Sequence, residues 1–315
     1  MNTLRKIAEN FNKNIEILYD EPMSKHTTFK VGGNAAVFFA PHTIEELEQL
    51  AACLKENSQS FFVLGGGSNL VVSDAGISRA VICTQKLNHI NTIAADSVSR
   101  DSLLLKCGSG TLMDNLAAFC EANSISGLET FSGLPGTIGG AVYMNARCYE
   151  RSISDVLESV LYLNTQTGKT AVYRFNEQDW AYKKSPFQNS GNIILEATLK
   201  CAKGSAEQIK AQNSHYVEDR KTKGHFKFPS AGSVFKNNHA FGSPSGKIID
   251  EAGLRGFSIG GAQVAPWHGN FIINTGNATA KDIHDLVLYI TEAVKRKTGF
   301  ELEPEIIFTG TGFDS

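Results

Sequence analysis

Residues 61–73, FFVLGGGSNLVVS, constrain the fold more than any other stretch of this chain. An apolar, aromatic-rich run bounded by glycine reads as a buried strand, and Gly65-Gly66-Gly67-Ser68-Asn69 then turn sharply before apolar residues resume. Successive glycines can expose backbone N–H groups on one concave side, which makes a nest for phosphate oxygens. An ordinary tight loop between two strands is the alternative reading of this stretch taken alone. A second segment, GLPGTIGGA at residues 133–141, has glycine at four of its nine positions. Too glycine-dense for a helix interior and too apolar for a flexible linker, it is expected to be a buried loop lying against something flat or charged.

With 315 residues and 42% hydrophobic content, the chain can bury a full core and make two or three domains. Its formal net charge of −2 lacks the basic excess of a sequence-independent nucleic-acid binder, so no nucleic-acid partner is expected. Six cysteines (Cys53, Cys83, Cys107, Cys120, Cys148, Cys201) are scattered without a C-x-x-C pair and read as reduced residues of a cytoplasmic protein. The first thirteen residues, MNTLRKIAENFNK, contain no apolar h-region, and no apolar run is long enough to span a bilayer. Neither export nor a membrane partner is expected.

Residues 2–13 have an amphipathic helical pattern, and residues 24–35 lead through a Gly32-Gly33 turn into a strand over 35–40. His26, alone in a loop, reads as a hydrogen-bonded structural histidine. Thr43 and Glu46 form a capping box ahead of a helix carrying Ile44, Leu47, Leu50, Ala51 and Leu54, so a βαβ-like unit ends in the triple glycine. Gly108-Ser109-Gly110-Thr111 begins like a dinucleotide fingerprint, but Met113 stands where the third glycine belongs. Residues 242–247 likewise fail as a Walker loop, because the spacing is one short and Ile248 replaces the hydroxyl. Strand-like runs fill 154–200, and a polar helix over 206–223 marks a boundary before the basic stretch RKTKGHFK. Beyond it come a strand-like segment over 229–237, a short helix over 246–252, strands within 261–274, and a long helix capped by Thr279 and Asp282 and ended at Gly299. Residues 302–308 read as a final strand bearing Glu303 and Glu305.

Taken in order, these segments resemble the UDP-N-acetylenolpyruvoylglucosamine reductases, the MurB family of flavoenzymes. The resemblance runs almost end to end through HTTFKVGG (26–33), VLGGGSNLVV (63–72), SGLPGTIGGAVYMNA (132–146), SAGSVFKN (230–237), GAQVAPWHGNFIIN (261–274) and LEPEI (302–306). The short interval between Tyr182 and Ser233 is similar to the family's compact subgroup, which lacks an insertion there.

The resemblance implies an α+β fold: a PCMH/vanillyl-alcohol-oxidase-like FAD-binding two-domain unit plus a third, α+β substrate-binding domain. The implied division is 1–84 joined by 302–315, then 85–203, then 204–301. FAD would be held noncovalently by Val31, Gly32, Gly33, Leu64, Gly65, Gly66, Gly67, Ser68, Asn69, Gly133, Pro135, Gly136, Thr137, Gly139, Gly140 and Ala141. By the same resemblance NADPH reduces FAD, and flavin N5 passes hydride to UDP-N-acetylglucosamine enolpyruvate. The product is UDP-N-acetylmuramate, a peptidoglycan precursor. Ser233 matches the proton donor, a poor acid that implies a strongly basic enolate partner. Glu305 matches the second catalytic position, although period-two spacing places Glu303 on the same face. Tyr182, Lys236 and Asn237 match substrate contacts, Asn237 toward the diphosphate. A monomer acting on a small UDP-sugar, with no metal site, is expected.

One departure bears on the chemistry. The family usually has arginine after the tyrosine, whereas Lys183 follows Tyr182 here, exchanging a bidentate fork for a point charge. Arg147-Cys148 and Trp267 are further departures. Two other readings stay open on the sequence: an oxidase on the same flavin-binding fold, and a flavin-binding homologue that has lost turnover through Lys183. Oxidases of that kind lack the SAGSVFKN and LEPE pair, and the presence of both Ser233 and Glu305 argues against lost turnover.

Overall fold

A computed structural model describes residues 3–11, 15–94 and 102–313. Of the helix expected over 2–13, Thr3–Asn10 is helical, while residues 2, 12 and 13 lie outside the described residues. The chain forms two compact units. One comprises Met1–Leu18, Val37–Gly66 and Arg79–Asp219; the other comprises Tyr19–Ala36, Gly67–Ser78 and Arg220–Ser315.

The capping box of Thr43 and Glu46 is formed, and the helix Ile44–Glu56 follows it. The strands on either side of this helix, Asn34–Ala40 and Phe61–Leu64, do not pair with each other. Both flank Ala80–Cys83 in parallel, with Phe38 opposite Val81 and Phe61–Leu64 opposite Ala80–Cys83. Leu47, Leu50 and Leu54 from the helix meet Phe39 and Ile82 from the strands in one core. Each such side chain, fully buried, contributes about 1.5–3 kcal/mol. Phe61, Phe62 and Val63 are only half-buried, so the expected buried strand has its first three residues near the edge of the core.

The first unit also holds a six-stranded antiparallel sheet, ordered Lys169–Arg174, Leu157–Asn164, Ile193–Lys203, Ser102–Gly108, Ile90–Ala94, with Ile125–Ser126 paired to Ile193–Lys203. Leu105, Leu157 and Leu199 from this sheet bury with Met113, Leu116 and Cys120 of the helix Met113–Ala122. The same core takes in Ile138 and Val142, and there the structure corrects one expectation. Half of the second glycine-rich segment is helical, over Ile138–Tyr143, rather than a loop throughout. Thr137 caps it, its side-chain oxygen accepting from Gly140 N at 3.3 Å. Gly139 N donates to Ser109 O at 2.8 Å, a close approach that overrides glycine's poor helix propensity.

In the second unit, the sheet runs Ser230–Ser233, Phe271–Asn274, Ala262–Val264, Ser258–Ile259. The helix Ala280–Thr298 buries Ile283, Leu286, Val287, Ile290 and Val294 in that unit's core. Thr279 and Asp282 form its capping box, and Gly299 ends it in a left-handed conformation. The expected final strand over 302–308 is shorter. Only Ile307–Thr309 is regular strand, paired in parallel with Leu70–Val72. Pro304 has no N–H to give a ladder and makes a single bridge to Phe235.

Candidate active site

In the first unit, the two glycine-rich segments singled out in the sequence come together backbone to backbone. A Cβ on Gly66 would lie 2.5 Å from Gly136 Cα, and one on Gly65 would lie 2.7 Å from Thr137 Oγ1. Neither position can carry a side chain while this approach is kept. The Leu64 carbonyl accepts from Thr84 N at 2.9 Å, and the Gly65 carbonyl from Gln85 Nε2 at 3.1 Å, which fixes the end of the strand.

The cradle also holds an unspent donor. Ser109 is 1% exposed, and its hydroxyl makes no hydrogen bond among the described residues. A buried hydroxyl without a partner costs on the order of 1–3 kcal/mol, so its presence beside a side-chain-free cradle fits a bound polar ligand such as the phosphates of a flavin nucleotide. Sequence reasoning passed over Ser109 because its fingerprint was incomplete; the signal was a small hydroxyl between two glycines.

The helix Ile138–Tyr143 carries the cradle toward the lysine turn. Ser185 Oγ donates to Tyr143 O at 2.7 Å, and Asn145 Nδ2 donates to Ala181 O at 2.8 Å. Ala181 and Lys184 exchange reciprocal backbone bonds, so Tyr182 and Lys183 form the corner of a two-residue turn. Lys183 takes φ 56°, a left-handed conformation that costs a non-glycine residue about 1–2 kcal/mol. Its carbonyl accepts from Gln188 Nε2 at 3.1 Å, and its ammonium lies 6.0 Å from the Tyr182 ring centroid. Asn145, which stands inside a quoted motif, holds this turn through its bond to Ala181 O, a contact that sequence reasoning missed. Pro135 is exposed, Gly133 half-buried, and Ala141 is part of the core.

The second unit builds the other candidates. Val31 buries its side chain in the core and gives its carbonyl to Thr27 Oγ1, leaving only its backbone edge for a ligand. Gly32 and Gly33 press against Val72 and Asp74, where a Cβ would come within 2.8 Å and 2.2 Å. Gly67 has φ 62° and its carbonyl accepts from Thr28 N at 3.1 Å. The Thr28 hydroxyl, like that of Ser109, is buried without a hydrogen bond among the described residues. His26 Nε2 lies 3.0 Å from Glu21 Oε1, a structural pairing. Ser68 and Asn69 are half-buried.

Ser233 owes its orientation to a bulge. Ser230 pairs with Ile273 and Ser233 with Phe271, three residues against two, so one extra residue is accommodated between them. Gly232, at φ 71°, takes the left-handed turn. Regular alternation from buried Ala231 would bury residue 233; the bulge shifts the phase so that Val234 is buried and Ser233 faces out. Next to it, Asn270 holds both backbone groups of Phe235, accepting from its N–H and donating to its C=O at 2.8 Å each.

The LEPEI segment lies antiparallel to this strand. Glu305 N donates to Val234 O at 2.7 Å, and Lys236 N to Glu303 O at 2.9 Å. Ser233 and Glu305 therefore lie on neighbouring segments within one unit. The structure also separates the two carboxylates: Glu303 is exposed and pairs with Lys236 Nζ at 2.5 Å, while Glu305 is half-buried. Asn237 Oδ1 accepts from Ser245 N at 2.9 Å. Burial pushes the His268 imidazole below its usual range, helped by Arg255; its Nδ1 accepts from Asn270 N at 3.1 Å.

The first unit thus holds a side-chain-free cradle and the second, separately, a serine beside a carboxylate, and the comparisons define the class as flavin-binding. Residues 35–173 match the description "FAD binding domain" and residues 224–309 match "UDP-N-acetylenolpyruvoylglucosamine reductase, C-terminal domain". A UDP-N-acetylenolpyruvoylglucosamine reductase of Treponema denticola is 46% identical over 305 residues, covering 93% of this chain and 94% of that protein. One of Borrelia garinii is 40% identical over 310 residues, 97% of each. The crystal structure of UDP-N-acetylenolpyruvylglucosamine reductase (MurB) from Thermus caldophilus superposes with a TM-score of 0.75 at 32% identity, covering 94% of this chain and 98% of that one. The chain belongs to the UDP-N-acetylenolpyruvoylglucosamine reductase family.

Proposed function

We propose that this chain reduces the enolpyruvyl ether of UDP-N-acetylglucosamine to UDP-N-acetylmuramate, with Ser233, Glu305 and Lys183 as its reacting residues. The family supports the reaction, and the single observation that carries the residue roles is the adjacency of Ser233 and Glu305 through the 2.7 Å bond from Glu305 N to Val234 O. FAD, reduced by NADPH, supplies hydride to the substrate when bound. The protein handles the charge and the proton that follow. Hydride addition to the terminal carbon of the enolpyruvyl group leaves an electron pair on the carbon next to the carboxylate. Ser233 Oγ delivers its proton there, and Glu305 stabilises the enol form. Lys183 holds the substrate carboxylate with a single charged hydrogen bond. Tyr182, Lys236 and Asn237 bind the nucleotide sugar, and residues 204–301 cover it. Lys236 would have to exchange its exposed partner Glu303 for the diphosphate, which costs little because an exposed pair is worth about 0–1 kcal/mol.

The flavin is held noncovalently. No histidine or cysteine of the sequence stands in a recognisable attachment context. Among the described residues no helix is long and apolar enough to cross a membrane.

Stopped-flow mixing of holoenzyme with NADPH, followed by the enolpyruvyl sugar, tests the reading. Bleaching of the flavin by NADPH and its recovery on adding the sugar are expected. Recovery only with oxygen would identify an oxidase, and bleaching without recovery would identify a homologue without turnover.

A further inference from the structure

Asn69 closes the glycine-rich turn, and its position in that turn suggests a nucleotide ligand. Its side chain is spent elsewhere. Asn69 Nδ2 donates to the Glu305 carbonyl at 2.9 Å, and the Asn69 carbonyl accepts from Ile307 N at 2.9 Å. Since Glu305 N donates to Val234 O, both backbone polar groups of Glu305 are engaged, one by the serine strand and the other by Asn69.

The register explains why a side chain is needed there. Ile307 pairs with Leu70 at the start of a parallel ladder that runs through Thr309 and Val72. Glu305 lies before that ladder and directly after Pro304, which contributes no N–H. The carboxamide of Asn69 extends the ladder's hydrogen bonding to a residue that the backbone alone does not reach. We propose that Asn69 is a positioning residue for Glu305, its side chain serving proton handling rather than the hold on the flavin nucleotide. The proposal rests on the reading of Glu305 given above.

Asn69→Ala removes the donor, and Asn69→Asp places a carboxylate oxygen against the Glu305 carbonyl at nearly unchanged volume. In apoprotein, amide hydrogen exchange across residues 303–309 is expected to quicken about tenfold, the scale of one hydrogen bond. In holoenzyme, flavin reoxidation by the enolpyruvyl sugar should slow at least about tenfold more than flavin reduction by NADPH. Loss of FAD affinity with both half-reactions slowed equally, and exchange unchanged, would overturn the proposal and make Asn69 a nucleotide ligand. Should Glu305→Gln slow reoxidation while the Asn69 variants keep wild-type ratios and exchange, the proposal fails and the Glu305 reading stands. A Glu305→Gln variant as fast as wild type overturns both.

Discussion

Lys236 Nζ lies 2.5 Å from Glu303 Oε1, and this pair distinguishes two carboxylates that the sequence places on one face. Glu303 is exposed and already neutralised, whereas Glu305, two residues on, is half-buried beside Ser233. Glu305→Gln should therefore slow flavin reoxidation by ~10²-fold or more, and Glu303→Gln should change it by no more than a few-fold. Single-turnover rates of the two variants decide this, and the reverse order would exchange the assignments.

Ser233→Ala should spare flavin reduction by NADPH and slow reoxidation by at least ~10²-fold, because the proton is needed only in the second half-reaction. Gly232→Ala offers a separate check on the bulge. A Cβ there meets nothing within 4 Å, so its effect is backbone strain at φ 71°, costing about 1–2 kcal/mol in urea unfolding. Slowed reoxidation in that variant would follow from a misdirected Ser233.

Gly66→Ala and Gly140→Ala should act in opposite directions on stability. The first drives a Cβ to 2.5 Å from the Gly136 backbone, which cannot rotate away, and overpacking of this kind costs about 1–3 kcal/mol. The second sits in a helix with ordinary contact, 3.5 Å from Thr137 Oγ1, and gains about 0.5–1 kcal/mol of helix propensity. Melting of the two apoproteins is the measurement.

Lys183→Arg should speed reoxidation by restoring a second hydrogen bond to the substrate carboxylate, and Lys183→Ala should slow it. A charged hydrogen bond is worth about 1.5–3 kcal/mol, so the Ala variant should lose roughly ten- to a hundredfold at saturating substrate. Wild-type rates in Lys183→Ala would place the residue outside the chemistry.

Asp282 supplies a pH dependence. Desolvation raises its pKa, but hydrogen bonds from Thr279 and Gly261 outweigh that and hold it below its usual value. A folded-state pKa below the unfolded one gives stability that is complete above the unfolded value and is lost as pH falls through the folded one. Asp282→Asn should lower the urea midpoint at pH 7, and the difference from wild type should shrink as pH falls below the ordinary aspartate range.

The sequence by itself determined the local elements and the chemical inventory. Capping boxes, the glycine end of the long helix and the two glycine-rich segments follow from backbone sterics and nearby hydrogen bonds, which depend only on neighbouring residues. Only tertiary structure decided how those pieces were used. The segment 133–141 became half helix because Gly139 could press against Ser109. The last strand began late because Pro304 had no donor to give, and Ser233 faced outward because an extra residue had to be absorbed opposite Phe271. Glu305 was told from Glu303 by a partner 67 positions away, and Asn69 was drawn from the glycine turn to the Glu305 carbonyl 236 positions on. Period-two spacing and motif position carry no information about such distant partners, since a side chain's hydrogen bond is settled by whichever backbone the fold brings within about 3 Å.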